Sequence, residues 1–296
     1  MITPHAQLSP TTMLREIPPK QAETLLKSMV IPPRPVILLQ LEQEQLKPEP
    51  DFDLISKLIS SDLTLSAAVL KTVNSPFFQL SNRVASVYQA LQLLGLKNLG
   101  NIVRGVLLRH ALTPEGATSM ERFWTMALRT ALVCAHLAEH VDGADAEEAY
   151  TFGLFQDCGM PLMQARFSNY RATMEKGEEL SLAKFIELED LRHQTNHAVV
   201  GYLLARTWFL PEHLSLAILN HQDIGIFASP DGEGWSDTCN LIAIAALASH
   251  VVKRHFELPE VPDWRELEPV YLRHLAMERS EYEDVADRVN RLLEHA

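Results

Sequence analysis

The sequence predicts an all-α protein. Apolar residues recur at helical spacing through most of the chain, and alternating apolar–polar runs of strand type are almost absent. Glycine is sparse, 12 residues in 296, which suits helices better than turn-rich sheets. With 47% apolar residues, a chain of this length can bury a large core, in one domain of two lobes or in two domains.

Taken in order, residues 1–19 hold Pro4, Pro10, Pro18 and Pro19 among few periodic apolars and read as a flexible tail. A short helix is expected at about 20–30, before Pro32, Pro33 and Pro35 force an extended crossing. Leu54, Ile55, Leu58 and Ile59 mark one face of the next helix. Ser61 is the expected cap of a helix carrying Leu65, Ala68, Val69 and Thr72, which Asn74-Ser75-Pro76 stops. Ser86 caps another, with Val87, Ala90, Leu91 and Leu94 inward and Gly95 just past its end. A fourth runs from about Lys97 to His110, and Thr113-Pro114-Glu115-Gly116 closes this lobe. The second lobe opens on a long helix at about 119–141. Glu147 to Phe167 forms another, interrupted near Gly159-Met160-Pro161, where proline removes a donor. Ser181 caps a helix to about Leu191, Asn196 one to about Trp208, and Pro211 begins the next. Asp237 or Thr238 opens a helix to about Arg254, and two more, near 264–276 and 280–295, end the chain. The last repeats Val285, Val289 and Leu292 and is expected to pack on the body, a docking or dimer surface being the alternative.

The net charge of −12 argues against sequence-independent binding to nucleic acid, which needs a basic surface. Cys134, Cys158 and Cys239 are an odd, sparse set that fits a reducing cytosol. The N-terminal MITPHAQLSP lacks the pattern of a signal peptide. The longest apolar run, Leu241–Ala248, is far below the roughly 20 residues a membrane span needs. A soluble cytoplasmic protein is expected.

A set of short pieces occurs in a particular order: Ile31-Pro-Pro-Arg-Pro35, Leu58 to Asp62, Leu70 to Ser75, Ala90 to Gly95, Phe123-Trp124, Gly153 to Gly159, His197 with Gly201, and Trp208 through Pro211 to His221. Together they resemble the HDOD family, the HD-related output domains of bacterial signalling proteins, over about residues 20–255. Asp62-Leu63 departs from the Asp-Pro pair usual there. The resemblance implies a two-lobed helical domain, with a first lobe at 20–116 and a second, similar to HD phosphohydrolases, at 117–255. Residues 256–296 would be a C-terminal helical extension. It also implies a regulatory or interaction domain rather than an enzyme.

An HD phosphohydrolase places His-Asp where this chain has Gln156-Asp157. A neutral Gln amide is a poor substitute for imidazole on a divalent ion. Carried over position by position, the resemblance puts Met126 or a neighbour where a first histidine belongs, retains Asp157, and lets His197 and His221 stand for later histidines. Gln222 replaces the second of a His-His pair, and the helix at 238–254 has no acid for the last ligand in its Leu241–Ala248 stretch. Asp157, His197 and His221 could hold zinc or non-haem iron if they converge. The preferred reading is that they are vestiges, with Asp157 accepting from backbone amides at a helix end and the histidines satisfied in a polar pocket. No catalytic residue, metal or cofactor is expected, and no charged cluster to hold a phosphate is visible near these positions.

His136 and His140, four apart, read as structural residues at a helix end, and Cys158 as a buried, inert thiol. Lys97, Arg104 and Arg109 read as a solvated surface. The resulting expectation is a non-catalytic signalling adaptor that binds other signalling or regulatory proteins, with homo-oligomers open. The rivals are a metal-dependent phosphohydrolase with a reduced site and a nucleotide second-messenger receptor. A groove across residues 113–120 and the helices after 256 are the expected contact regions, the latter removable without loss of the body.

Overall fold

In the computed structural model, residues 25, 29–75, 78, 80, 82–113, 120–228 and 236–294 are described, and no strand occurs among them. Pro35 opens α1 (Val36–Gln45), a helix not expected from the sequence. Its apolar residues form no single stripe, and only Leu38 and Leu41 bury large apolar side chains. The expected helix at 20–30 and the junction at 113–120 lie largely outside the described residues.

Asp51 caps α2 (Phe52–Ser60), its carboxylate accepting from the Leu54 amide at 2.9 Å. Asp62, not Ser61, caps α3 (Leu63–Val73), accepting from the Leu65 amide at 3.0 Å. Ser61 belongs to the preceding helix end and donates to the Leu58 carbonyl at 2.7 Å. Both residue types make good caps, but the carboxylate also meets the positive end of the helix dipole. Ser86 caps α4 (Val87–Leu112) as expected, and the helix is broken at Gly95, whose φ of 76° favours a residue without Cβ. Leu91, Leu99 and Leu108 bury completely along it.

The second lobe opens with α5 (Glu121–Ala138) and α6 (Ala146–Phe155). The interruption expected at Pro161 comes earlier, at 156–158, and Pro161 sits in the first turn of α7 (Gly159–Arg166). A missing N–H costs nothing there, because the first-turn amides have no helical acceptor. A short helix not read from the sequence, α8 (Tyr170–Gly177), precedes α9 (Leu182–His193). Next come α10 (His197–Thr207), α11 (Glu212–Asn220) and α12 (Ser236–His255). The three cysteines are free and buried, one each on α5, the 156–158 turn and α12.

Two expectations change on packing grounds. Arg104 is not solvated: its side chain is 14% exposed and donates to Asn101 Oδ1 and, across the lobes, to Thr151 Oγ1 at 3.1 Å. The last helices, α13 (Trp264–His274) and α14 (Arg279–Glu294), share one continuous core with both lobes. Trp264, Tyr271, Tyr282, Val285 and Val289 are buried in it. These helices are body rather than a removable extension.

Candidate functional site

Gly159 brings the site together. A Cβ placed on it would lie 2.0 Å from the His197 carbonyl oxygen and 2.8 Å from the Gly201 amide nitrogen. Only a glycine lets the start of α7 touch the first turn of α10, which carries Asp157 to His197. Gly159→Ala should therefore cost more than about 3 kcal/mol, as an overpacked backbone contact does at its upper end. A denaturant midpoint within error of wild type would contradict this close approach.

Asn196 caps α10, accepting from the Val199 amide at 3.0 Å, and so sets His197 as its first residue. His197 is fully buried. Its Nδ1 lies 2.6 Å from Glu189 Oε2, and its backbone N–H donates to the same oxygen at 3.3 Å. The Tyr170 hydroxyl donates to the other oxygen of Glu189, and Phe185 stacks on the imidazole. His221, just past α11, points Nδ1 at the Ile218 carbonyl, 2.8 Å away. Asp157 Oδ1 lies 3.3 Å from His221 Nε2 and 3.5 Å from His197 Nε2, and the two Nε2 atoms are 3.3 Å apart.

These partners assign the protons. A carboxylate and a carbonyl only accept, so both Nδ1 atoms carry hydrogen. Neutral rings would then turn two Nε2 lone pairs toward an ionised carboxylate. Gln222 relieves part of this by donating its amide to His221 Nε2 at 3.0 Å, leaving its own Oε1 buried without a partner. The remainder calls for a positive charge among the three atoms. Burial lowers the His197 pKa, but Glu189, Asp157 and Asp190 outweigh it and hold the ring above its ordinary value. Burial raises Asp157, yet the neighbouring His221, His197 and Lys253 bring it below the usual range. A second proton on His197 is one way to supply the charge.

A metal ion is the other way to supply it. Three donors at tetrahedral angles with bonds of about 2.0–2.1 Å stand about 3.3–3.4 Å apart, close to the separations found. Asp157, His197 and His221 thus fit one face of a metal site, and Glu189 orients His197 as an outer partner would. The remaining positions do not extend it. Gln156 donates to Ser249 Oγ at 3.2 Å, and Met126 packs against the core away from the cavity. The α12 wall presents Ile242, Ala246, Ser249, His250 and Lys253. Lys253 is half-buried, its pKa lowered by burial against the pull of Asp157 and Glu178.

The cavity of about 130 Å³ is roofed by Val261, Trp264, Leu267 and Tyr271. Trp264 stacks flat on His250, centroids 3.9 Å apart, and burial lowers that histidine to about 4. The expected convergence of Asp157, His197 and His221 is present. The expected backbone-amide acceptance by Asp157 is replaced by contact with two imidazoles. Glu189, Tyr170 and Lys253 were not read from the sequence. Glu189 sits in a charge-rich run with Glu187 and Asp190, where nothing marks one acid as buried.

A family model described as HDOD domain matches residues 31–224. The chain is 29% identical over 200 residues to an uncharacterized protein of Treponema pallidum (strain Nichols), covering 66% of this chain and 38% of that one. It is 27% identical over 132 residues to a Vibrio cholerae protein named Cyclic di-GMP phosphodiesterase CdgJ, covering 44% of this chain and 30% of that one. The matched stretch is well under half of either relative. A crystal structure of an HDOD domain protein with unknown function from Geobacter sulfurreducens superposes with a TM-score of 0.68 at 22% identity, covering 92% of this chain and 93% of that one. At that identity the likeness is one of fold.

Proposed function

This chain belongs to the HDOD family, and from that premise we propose that it is a non-catalytic, cytoplasmic signalling protein that acts by binding other signalling or regulatory proteins. The observation that carries the reading is Lys253. It places a positive charge beside Asp157, on the helix from which a metal site of the HD kind would need an acid. A nearby ammonium disfavours a divalent cation and leaves one carboxylate to answer two imidazoles. No helix among the described residues is long and apolar enough to cross a membrane, which accords with this setting.

The three-donor face supports a rival reading, a phosphohydrolase with one metal on Asp157, His197 and His221. A nucleotide receptor is the third. The cavity of about 130 Å³ is well below the roughly 300–1,000 Å³ of small-molecule sites, so a nucleotide would require the roof to move.

Elemental analysis and hydrolysis assays separate these readings. Untagged protein should carry no stoichiometric divalent metal, and hydrolysis of phosphate esters and cyclic dinucleotides should stay at background. Gln156→His alone should not restore activity, because Lys253 and the α12 wall are unchanged. Metal at about one ion per chain that disappears in His197→Ala, with hydrolysis that disappears in Asp157→Ala, would establish the enzyme instead.

A further inference from the structure

Away from this site, an open cleft of about 1190 Å³ lies in the first lobe, between α3 and the segment 80–85 that leads into α4. One wall is the face of α3 that carries Ala67, Leu70 and Lys71 and ends at Asn74. The other is Leu80, Arg83, Val84 and Ala85. Asn74 fixes the gap between them. Its Nδ2 donates to the Val84 carbonyl at 2.8 Å, and its Oδ1 accepts from the Val84 amide at 2.7 Å. The two walls are therefore held in place before anything binds, which lowers the ordering cost of binding.

The charge around this cleft runs against that of the chain. Residues 63–114 contain no Asp or Glu, in a chain where 38 of 296 residues are acidic and the net charge is −12. The same stretch holds Lys71, Arg83, Lys97, Arg104 and Arg109. Burial alone does not account for the missing acids, because Thr64, Asn82, Gln92 and Asn98 are exposed and neutral. Arg104 and Arg109 answer Glu42 and Glu121 from elsewhere in the chain. Lys71 and Arg83, both exposed, have no ion-pair partner among the described residues. They are the only charged residues among the described lining of the cleft. An anionic group that enters meets two unpaired cations and no lining carboxylate to repel it.

The rest of the lining is mainly apolar: Ala67, Leu70, Leu80, Val84 and Ala85. Leu63 extends this surface. It lies one helical turn before Ala67 on the same face of α3 and is 83% exposed. An exposed apolar strip flanked by unpaired cations suits a protein segment of opposite charge. It suits a nucleic acid poorly. Two cations neutralise two phosphates at most, and no aromatic ring lines the cleft, among the described residues, on which a base could stack.

Resting on the adaptor reading above, we propose that this cleft is the docking site for an acidic segment of a partner protein. The segment carries carboxylates on either side of a leucine-like side chain. The carboxylates pair with Lys71 and Arg83, and the apolar side chain lies between Leu70 and Leu80 and covers the strip that runs to Leu63.

The test uses the full chain and a random peptide library displayed on phage. Selected peptides should be enriched in Asp or Glu around a branched aliphatic residue. A labelled peptide from that selection, followed by fluorescence anisotropy, should bind Lys71→Glu and Arg83→Glu at least about tenfold more weakly than wild type. It should bind Lys184→Glu unchanged. That substitution makes the same change of charge at an exposed site on α9, so it separates the cleft from the charge of the whole chain. Lys71 stands in the last turn of α3, where a cation favours the helix. Arg83 lies outside any helix, so Arg83→Glu should melt as wild type does and separates lost binding from lost folding. Selection of no peptide overturns the proposal. So does selection of peptides that bind Lys71→Glu and Arg83→Glu as tightly as wild type; the adaptor reading would then stand on another surface. Binding of a labelled RNA or DNA oligonucleotide that disappears in Arg83→Glu would also overturn it, since the cleft would then take phosphates rather than a protein. The adaptor reading has its own independent test in metal content and hydrolysis.

Discussion

Deleting residues 260–296 should leave a chain that aggregates or stays molten rather than a soluble helical body. The segment contributes Trp264, Leu267, Tyr271, Leu272, Leu275, Tyr282, Val285 and Val289 to the buried core. Burying each large apolar side chain contributes about 1.5–3 kcal/mol, while a whole domain is stable by only about 5–15 kcal/mol. A handful of these residues therefore matches the entire margin. Their loss would also uncover the α12 face that carries Ile242, Ala246 and His250, over which Trp264, Leu267 and Tyr271 lie. Polar ties go with them: the Tyr282 hydroxyl donates to the Leu247 carbonyl at 3.2 Å, and Arg254 pairs with Glu283 at 3.0 Å. Near-ultraviolet circular dichroism and dye binding would report the loss of packing. A monomeric truncated protein with a cooperative melt would show that these contacts are dispensable.

Glu189→Ala should be the most damaging single polar substitution in the second lobe. Glu189 is fully buried and accepts from three groups: His197 Nδ1, the His197 amide and the Tyr170 hydroxyl. Removing it leaves a buried cation and a buried hydroxyl unpaired, a loss of about 3–5 kcal/mol, or a melting temperature lower by on the order of 10 °C for a chain of this size. Glu189→Gln should lose less, because its carbonyl oxygen can still accept one of the three bonds. The effect has a pH signature. The His197 pKa is raised in the folded state, so its charge stabilises fully below the ordinary histidine value of about 6.5 and ceases to do so as pH rises through the folded value. The stability gap between wild type and Glu189→Ala should therefore narrow from acid toward alkaline pH in urea titrations. A gap that widens would show that the pair is not held by a charged His197.

Most helix positions were legible because their caps are local. Ser86 and Asn196 each accept from an amide three residues on, and that geometry needs nothing beyond the neighbouring turn. The helix α1 was hidden because its burial depends on α4, which crosses it from far along the chain. Asp157, His197 and His221 were legible as a set only through the order of motifs around them. Their spacing, 40 and 24 residues, has no local meaning until Gly159 lets two helices touch. Lys253 looks like any basic residue in the last turn of a helix, and Arg104 like any surface arginine. Both are recognised only once the opposing element is in place. The last helix packs on the body as its Val285 and Val289 repeat predicts, but the pattern does not say how much of the core depends on it, so the segment expected to be removable proves to be core.

The three buried thiols offer a means of timing local motion. Burial pushes the Cys134 and Cys158 thiols far above their ordinary range and Cys239 to about 11, so none reacts with an alkylating reagent while its surroundings are closed. Each becomes reactive only when its own segment opens. Trapping rates for Cys134, Cys158 and Cys239 would therefore rank the opening of α5, the Asp157 turn and the start of α12 without any added label. The turn beside Asp157, pinned by the tight α7–α10 contact, should be the slowest of the three.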